Sequence, residues 1–210
     1  WQFDLEKLES MITPKTKLLI INTPQRPNGH LVENPEAIAE MCFRHPNLMV
    51  ISDEIFSHVT FGKPHKTIAA VPGMEERTIV IDTFSKTYAM TGWRIGWAVA
   101  PIPVIDKLSI FLQDSITNVA AFIQKAAYAA ISGPQDWTVE KTALLKKKRD
   151  RMIAGLNSVP GIKCDVPDGA FYAFPNITGT GYTSQEYTDL LVEKAGVAVV
   201  AGTAFGSQGE

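Results

Sequence analysis

The sequence predicts an α/β fold, with a mostly parallel sheet and flanking helices, followed by a smaller α+β part. Short apolar runs that suit buried strands alternate with helical patterns over the first hundred residues, and this alternation is typical of a parallel sheet. The helical pattern then ends at Ser132, Gly133 and Pro134. A long helix pattern and short strand patterns follow these residues. We therefore expect one part at residues 1–132 and a second at residues 133–210.

Four apolar runs predict the strands of the sheet, at residues 18–21, 48–51, 78–82 and 95–100. Between the first two, Asn34 can cap a helix that begins with Pro35 and has apolar side chains at helical spacing. Polar residues, among them Asn22 and Asp53, follow the first two strands directly. Ligands of such sheets bind outside the carboxyl ends of the strands, so we expect a site there.

Helical patterns dominate the rest of the chain. Apolar stripes predict helices over residues 105–116 and 119–131, and a longer helix is predicted over 137–156. Thr183 and Glu186 have the spacing of a capping box and predict the start of another helix. Two further strands are predicted in the second part, at residues 171–174 and 197–200.

The composition excludes several classes of protein. The chain has 210 residues, of which 45% are hydrophobic and 20% charged, as expected of a globular protein with a packed core. Its formal net charge of −2 gives no positive field for nucleic acid or anionic lipid. No apolar run approaches the roughly 20 residues that cross a bilayer. Only Cys42 and Cys164 are present, far apart, so we expect no disulfide framework and a reducing, cytoplasmic compartment.

The sequence offers no metal-binding or phosphate-loop motif. Its histidines are never four residues apart, so we assign no metal. The basic run at residues 146–149 has two interpretations, a nucleic-acid-binding arm or a solvated helix face, and we favour the second. Because the chain starts at Trp1 and stops at Glu210 within a glycine-rich stretch, we expect it to be a piece of a longer protein.

The densest group of chemistry-bearing residues lies at 82–86 and 92–96. Lys86 directly follows a predicted strand, and a lysine without access to water loses its proton more readily, which makes it a nucleophile for a carbonyl carbon. Thr83, Ser85 and Arg94 could donate hydrogen bonds to a dianionic phosphate. Gly92 and Gly96 have no side chain and would allow the backbone to approach a bound group closely. The pattern therefore favours imine chemistry with a carbonyl compound at this point.

This group closely resembles the lysine signature of class I/II aminotransferases, the fold-type I enzymes that use pyridoxal 5′-phosphate. Four other segments resemble the same family in the same order, so that the similarity covers essentially the whole chain. They are residues 22–29, 53–56, 168–175 and 199–210. The resemblance implies that residues 1–132 form part of the large, cofactor-binding domain and residues 133–210 most of the small C-terminal domain.

The resemblance also implies a role for each matching residue. Lys86 would hold the cofactor as an internal aldimine and, once released, shuttle the substrate proton. Asp53 would pair with the pyridine nitrogen and keep it protonated. Thr83, Ser85 and Arg94 would hold the phosphate, although Ser85 could equally be a local backbone cap.

Two residues depart from the family pattern around the phenolic oxygen of the cofactor. Arg26 stands where most of the family has an asparagine, and Phe56 stands where it has a tyrosine. Both usual hydrogen-bond partners of that oxygen are therefore lost. We hypothesise that Arg26 supplies a charge-assisted hydrogen bond in their place, and the alternative is that Arg26 points outward.

The reaction implied by the resemblance is transfer of an amino group from an amino acid to a 2-oxo acid. The family works as homodimers, so a homodimer is implied for the intact protein. Its N-terminal phosphate loop and its substrate-carboxylate arginine would lie outside this chain, which would leave part of the sheet unpaired. The alternatives are a β-elimination lyase or amino-acid oxidase on the same fold, and the aminotransferase-like effector domain of a transcriptional regulator.

Overall fold

The computed structural model describes residues 4–210, and the first three residues of the predicted part at 1–132 lie outside the described residues. Its centre is a four-stranded sheet whose spatial order follows the chain. The first three strands are parallel, and the fourth pairs antiparallel with the third, which confirms the predicted mostly parallel sheet. The strands are β1 (Leu18–Asn22), β2 (Met49–Asp53), β3 (Thr78–Thr83) and β4 (Gly96–Val99).

Seven α-helices are found among residues 4–210, and the predicted ones all occur within a few residues of their expected bounds. The very short helices at residues 5–10 and 84–87 were not predicted, because one or two turns contain too few residues to show a helical period. The helices are α1 (Leu5–Ser10), α2 (Pro35–Arg44), α3 (Phe84–Thr87), α4 (Ile102–Ile116), α5 (Ala121–Ser132), α6 (Asp136–Asn157) and α7 (Ser184–Ala195).

Helix α2 covers one face of the sheet and forms the main core with it. The Asn34 side chain accepts a hydrogen bond from the Ala37 amide at 3.1 Å, as expected of the predicted cap. Ile38 and Met41 point from the helix into a cluster that includes Val50 of the central strand β2. This packing stabilises the strands whose carboxyl ends were predicted to form the site.

The two strands predicted in the second part of the chain are wrong. Within residues 4–210, neither 171–174 nor 197–200 has a neighbouring strand with which to form a hydrogen-bonded ladder. An apolar run adopts a stable strand only where such a neighbour satisfies its backbone groups.

The capping box at Thr183 is confirmed, because its amide donates to the Glu186 carboxylate at 2.9 Å and its side chain accepts from the Glu186 amide.

Residues 168–170 attach the second part of the chain to the first through backbone hydrogen bonds. The Gly169 amide donates to the Gly29 carbonyl oxygen at 2.9 Å, and the Ala170 amide donates to the Val59 carbonyl oxygen at 2.8 Å. A Cβ on Gly29 would lie 2.6 Å from the Gly169 oxygen, so this approach requires glycine. Phe171 and Tyr172 follow this contact directly, and their rings pack on Phe56, three residues after the end of β2. The division at residue 132 remains a prediction.

Among residues 4–210, β1 and β4 each have a single neighbouring strand, so that the outer edge of each is unpaired. Ile20 of β1 and Val99 of β4 are also exposed on the faces of the sheet. No helix in residues 4–210 is both long and apolar enough to cross a membrane.

Candidate active site

The predicted site residues Asp53 and Lys86 lie at the same edge of the sheet. Asp53 is the last residue of β2, and Lys86 lies in α3, which begins directly after β3. Strands β2 and β3 are parallel neighbours, with Asp53 opposite Ile81. The topology therefore places at one edge of the sheet two residues that are 33 positions apart in the sequence.

The turn that carries Lys86 is organised by Thr83. The Thr83 hydroxyl oxygen accepts a hydrogen bond from the Ser85 amide at 3.0 Å and lies 2.9 Å from the Ile95 carbonyl oxygen. This N-cap starts a helix of one turn, in which Ser85 is buried and Lys86 is half-buried. The Lys86 ammonium lies 5.5 Å from the centre of the Phe171 ring.

An open cavity of about 540 Å³ brings four of the seven predicted residues together. Thr83, Ser85, Lys86 and Arg94 all line it. The cavity thus combines a half-buried amine with two hydroxyl groups and a guanidinium. This set can receive a carbonyl compound that also carries a phosphate.

Arg94 reaches this cavity from a turn with left-handed backbone geometry, φ 52° and ψ 49°. Its guanidinium donates to the Thr91 carbonyl oxygen at 2.9 Å, and its remaining donors have no partner among the described residues. Gly96 is required by space, because a Cβ there would lie 2.7 Å from the Asp82 carbonyl oxygen. A Cβ on Gly92 would meet nothing within 4 Å, so space does not require glycine at that position.

The Asp53 carboxyl group lies outside that cavity lining and is half-buried. Burial raises the pKa of Asp53 above its ordinary value, the neighbouring Glu54 adds to the rise, and a hydrogen bond from the Ile55 amide opposes it. Among residues 4–210, no lysine, arginine or histidine forms an ion pair with it. A cation placed beside Asp53 would restore its ionised form.

Phe56 and Arg26 both contact the aromatic pair Phe171 and Tyr172, Phe56 through both rings and Arg26 through Tyr172. Phe56 is fully buried and packs edge-on against both rings, at 5.0 and 5.5 Å between centres. Arg26 is exposed, and its guanidinium lies over the rings of Tyr172 at 5.8 Å and Phe205 at 5.5 Å. Burial raises the pKa of Tyr172, while the charge of Arg26 opposes this rise.

Two residues of the site were missed by the sequence analysis. Asp82 is buried and accepts hydrogen bonds from the Thr83 amide at 2.6 Å and the Ser57 hydroxyl at 3.1 Å. The sequence places Asp82 directly before Thr83, but it gives no sign that the Asp82 carboxylate accepts these two hydrogen bonds. Lys141 donates hydrogen bonds to the carbonyl oxygens of Lys86 and Thr87 from 55 residues away, and no sequence signal indicates that contact.

Within residues 4–210, no group of three or more His, Cys, Asp or Glu side chains has an arrangement that could hold a metal ion.

The basic run at residues 146–149 ends in Arg149, which donates a hydrogen bond to the Pro167 carbonyl oxygen and lies over the Phe61 ring. Its three lysines are exposed, as predicted for a helix face.

Comparison with known proteins finds similarity to one family over the whole chain. The family model described as aminotransferase class I and II matches residues 1–210. The chain is 40% identical to an aspartate aminotransferase of Musicola paradisiaca, over 99% of this chain and 53% of that protein. It is 39% identical to aromatic-amino-acid aminotransferase 2 of Thermococcus litoralis, over 100% of this chain and 55% of that protein. The chain therefore spans about half the length of these curated relatives.

Solved structures show the same fold. An aspartate aminotransferase from Rhizobium meliloti superposes with a TM-score of 0.92 at 35% identity, covering 96% of this chain and 54% of that one. An aromatic aminotransferase from Pyrococcus horikoshii superposes with a TM-score of 0.94 at 38% identity, covering 99% of this chain and 57% of that one. The fold is that of the fold-type I aminotransferases.

Proposed function

This chain belongs to the aminotransferase class I and II family, and on that premise we propose that the whole protein transfers an amino group from an amino acid to a 2-oxo acid. We further propose pyridoxal 5′-phosphate as its cofactor. The observation that carries the proposal is the cavity lined by Lys86 and the three phosphate-binding candidates, together with a partly desolvated Asp53 at the same edge of the sheet.

The residues present fit that cofactor. Thr83, Ser85 and Arg94 offer two hydroxyl groups and a guanidinium with free donors, which suit a dianionic phosphate. Lys86 offers an amine to the aldehyde. The unpaired, partly desolvated carboxyl group of Asp53 suits a protonated ring nitrogen, because that cation would favour its ionised form.

When bound, pyridoxal phosphate supplies an aldehyde that bonds covalently to amines and a ring that accepts electrons. Lys86 anchors it and, once its amine is released, moves the proton at the Cα atom of the substrate. Asp53 would favour a proton on the ring nitrogen, because a carboxylate stabilises a neighbouring cation. Arg94 binds the phosphate with a planar pair of donors.

The role of Arg26 toward the phenolic oxygen of the cofactor stays a prediction. A guanidinium has five N–H donors, so that one of them can serve that oxygen while its face rests on Tyr172 and Phe205. Titration of the absorption band of the bound cofactor in Arg26→Met tests this role. An unchanged pKa of that band would contradict it. Phe56, which is fully buried, would contribute to the site through packing alone.

We also propose a homodimer for the whole protein. Helix α4 has no buried residue, and Phe111 and Ile116 are exposed. An apolar surface of this kind is ordinarily covered, and here either the rest of the longer protein or a second copy would cover it. The cytoplasmic compartment stays a prediction.

The proposed activity is tested with the full-length protein, an amino-acid donor and a 2-oxo-acid acceptor. An aminotransferase forms the new amino acid only when the acceptor is present, and Lys86→Ala abolishes this product. Pyruvate and ammonia formed without the acceptor would identify a β-elimination lyase instead. Oxygen consumption would identify an amino-acid oxidase.

A further inference from the structure

We propose that Glu54 is a positioning residue for Asp53, a buried carboxylate that fixes the end of β2 and adds negative charge behind the Asp53 side chain. Glu54 would act on a bound cofactor only through Asp53 and would not touch it. Its role toward the cofactor rests on the proposed function, whereas its contacts within the protein are independent of that function.

Glu54 lies at the centre of a buried network of polar side chains. Its Oε1 atom accepts hydrogen bonds from the Ser52 hydroxyl at 2.7 Å and from the Thr67 hydroxyl at 2.5 Å. Its Oε2 atom lies 3.7 Å from Nδ1 of His65, and the side chains of Glu54 and His65 are each 8% exposed. A buried carboxylate needs such partners to replace the water that it loses. Two hydroxyl donors on one oxygen suit the ionised form of Glu54.

The network holds the end of β2 from the face of the sheet opposite Asp53. Successive side chains of a strand point to opposite faces, so that Ser52 and Asp53 lie on different faces. The hydrogen bond between Ser52 and Glu54 places these two on the same face. Thr67 is the N-cap of the short helix Ile68–Ala70, and its bond to Glu54 connects that helix to the strand. Asp53 therefore lies between two residues whose side chains are both fixed from behind.

The backbone at this point is also held by both neighbouring strands. The Glu54 amide donates to the Ile81 carbonyl oxygen of β3 at 2.9 Å, and the Thr23 amide donates to the Asp53 carbonyl oxygen at 3.0 Å. A neutral glutamine at position 54 could accept both hydroxyl hydrogen bonds without the cost of burying a charge. The charge of Glu54 therefore offers more than the position of the strand requires.

That charge acts on two carboxyl groups. Burial raises the pKa of Asp53 and of Asp82 on β3, and Glu54 adds to the rise at both. His65 does not cancel the charge of Glu54, because burial lowers the pKa of His65 although Glu54 opposes this. Among residues 4–210, Nε2 of His65 has no hydrogen-bond partner, so that a protonated ring would bury an unsatisfied donor. His58, the other histidine here, lowers the pKa of Asp82 and of His65.

Negative charge behind Asp53 favours a cation in front of it. The protonated ring nitrogen of the proposed cofactor would be such a cation, and a nearby negative charge raises the pKa of that nitrogen. Glu54 would thus help Asp53 to keep the ring protonated.

The alternative is that Glu54 only fixes the strand, and two substitutions separate this role from an effect of charge. Glu54→Gln removes the charge and keeps an oxygen that can accept from Ser52 and Thr67. Thr67→Val keeps the charge and removes one hydroxyl donor. A residue that only fixed the strand would respond to Thr67→Val at least as strongly as to Glu54→Gln.

The first measurement uses the full-length protein without cofactor. The Asp53 carboxyl carbon is followed against pH by NMR in protein labelled at aspartate, and Asp53→Asn identifies its signal. Glu54→Gln should move the Asp53 titration to lower pH, because the charge that opposes its ionisation is gone. Thr67→Val should lower the unfolding temperature and leave the titration in place. Glu76→Gln, at an exposed position, is the matched control and should resemble the wild type.

The second measurement uses the full-length protein with pyridoxal 5′-phosphate that is isotopically labelled at its ring nitrogen. NMR of this nitrogen shows whether it carries a proton, and no turnover is needed. The ring nitrogen in Glu54→Gln should lose its proton at a lower pH than in the wild type.

An Asp53 titration that is the same in Glu54→Gln and in the wild type would overturn the proposal. An equal shift in Thr67→Val would also overturn it, because the network would then act through geometry alone. Glu54→Asp keeps the charge on a shorter side chain and tests the same point even if Glu54→Gln is unstable. Its Asp53 titration should stay close to that of the wild type, and a clear shift to lower pH would contradict a role of the charge.

Failure of the positioning role is distinguishable from failure of the proposed function. If the protein transfers amino groups and Asp53 titrates alike in the wild type and Glu54→Gln, the positioning role alone fails. If Glu54→Gln shifts the Asp53 titration while the protein binds no pyridoxal phosphate, the proposed function fails and the effect of Glu54 on Asp53 stands.

Discussion

Lys141 of α6 donates hydrogen bonds to the carbonyl oxygens of Lys86 and of its neighbour Thr87, the latter at 2.9 Å. These carbonyl groups end the one-turn helix α3 and have no partner further along it. A cation at the C-terminal end of a helix is favourable because the carbonyl dipoles point toward it. Residues after 132 therefore fix the backbone of the lysine on which the proposed chemistry depends.

Lys141→Met should destabilise the protein. The substitution keeps most of the length of the side chain and removes the ammonium, so that two carbonyl groups lose their donor. A hydrogen bond with a charged group contributes roughly 1.5–3 kcal/mol, and we expect a loss of about 2 kcal/mol in the free energy of unfolding. Denaturant unfolding of the full-length protein measures this. Lys147→Met, an exposed position on the same helix, is the control, and an equal effect of both substitutions would contradict the role of Lys141.

Asp82 should make stability depend on pH in the acid range. Burial raises the pKa of Asp82 above its ordinary value of 3.8, while hydrogen bonds from Thr83 and Ser57 oppose the rise. Its protonated form therefore favours the folded state below pH 3.8, and this contribution is lost as the pH rises through the higher pKa of the folded state.

Asp82→Asn should accordingly be more stable than the wild type at pH 7, and the advantage should disappear toward pH 3.8. Asparagine keeps an oxygen that can accept from the Thr83 amide. Urea unfolding at several pH values gives the comparison, with Asp106→Asn as the exposed control. A difference that does not vary with pH would show that Asp82 titrates alike in both states.

The hydroxyl of Thr83 should contribute to stability as a helix cap. Thr83→Val has nearly the same shape but cannot accept from the Ser85 amide or donate to the Ile95 carbonyl oxygen. Loss of an N-cap ordinarily costs about 1 kcal/mol, and we expect a reduction of that size in the free energy of unfolding. Thr83→Ser retains the hydroxyl and should restore most of it. Equal stabilities of the two variants would argue against capping.

Two glycines of the signature should respond differently to alanine. Gly96→Ala places a Cβ 2.7 Å from a backbone oxygen of Asp82, so β3 and β4 must separate, at a cost of about 1–3 kcal/mol. Gly92→Ala meets nothing within 4 Å, and we expect a change within about 0.5 kcal/mol. Thermal unfolding of both variants tests this contrast. Similar unfolding temperatures would be inconsistent with the tight approach at Gly96.

Sequence reasoning succeeded where the signal is local. The Asn34 cap, the Thr183 capping box and the position of Asp53 at the end of β2 each depend on a few consecutive residues, and all three are found in the structure. The lysine signature was equally local, because Thr83 and Lys86 belong to one turn.

Sequence reasoning failed where an outcome depends on distant partners. Residues 171–174 have the apolar pattern of a strand, but no neighbouring strand in the described chain pairs with them. The Phe171 and Tyr172 rings pack on Phe56 instead. The contact of Lys141 with Lys86 and the contacts of Arg26 with the Tyr172 and Phe205 rings join residues far apart in the sequence. No local pattern encodes such pairs.

The central claim is that Lys86 binds the aldehyde of pyridoxal phosphate, and borohydride reduction of the full-length protein tests it most directly. Reduction makes the bond between the amine and the cofactor permanent, and peptide mass spectrometry then identifies the modified lysine. We predict a pyridoxyl group on the peptide that contains Lys86, and none there in Lys86→Ala. A reduced protein without that group on Lys86, or with it on another lysine, would contradict the account.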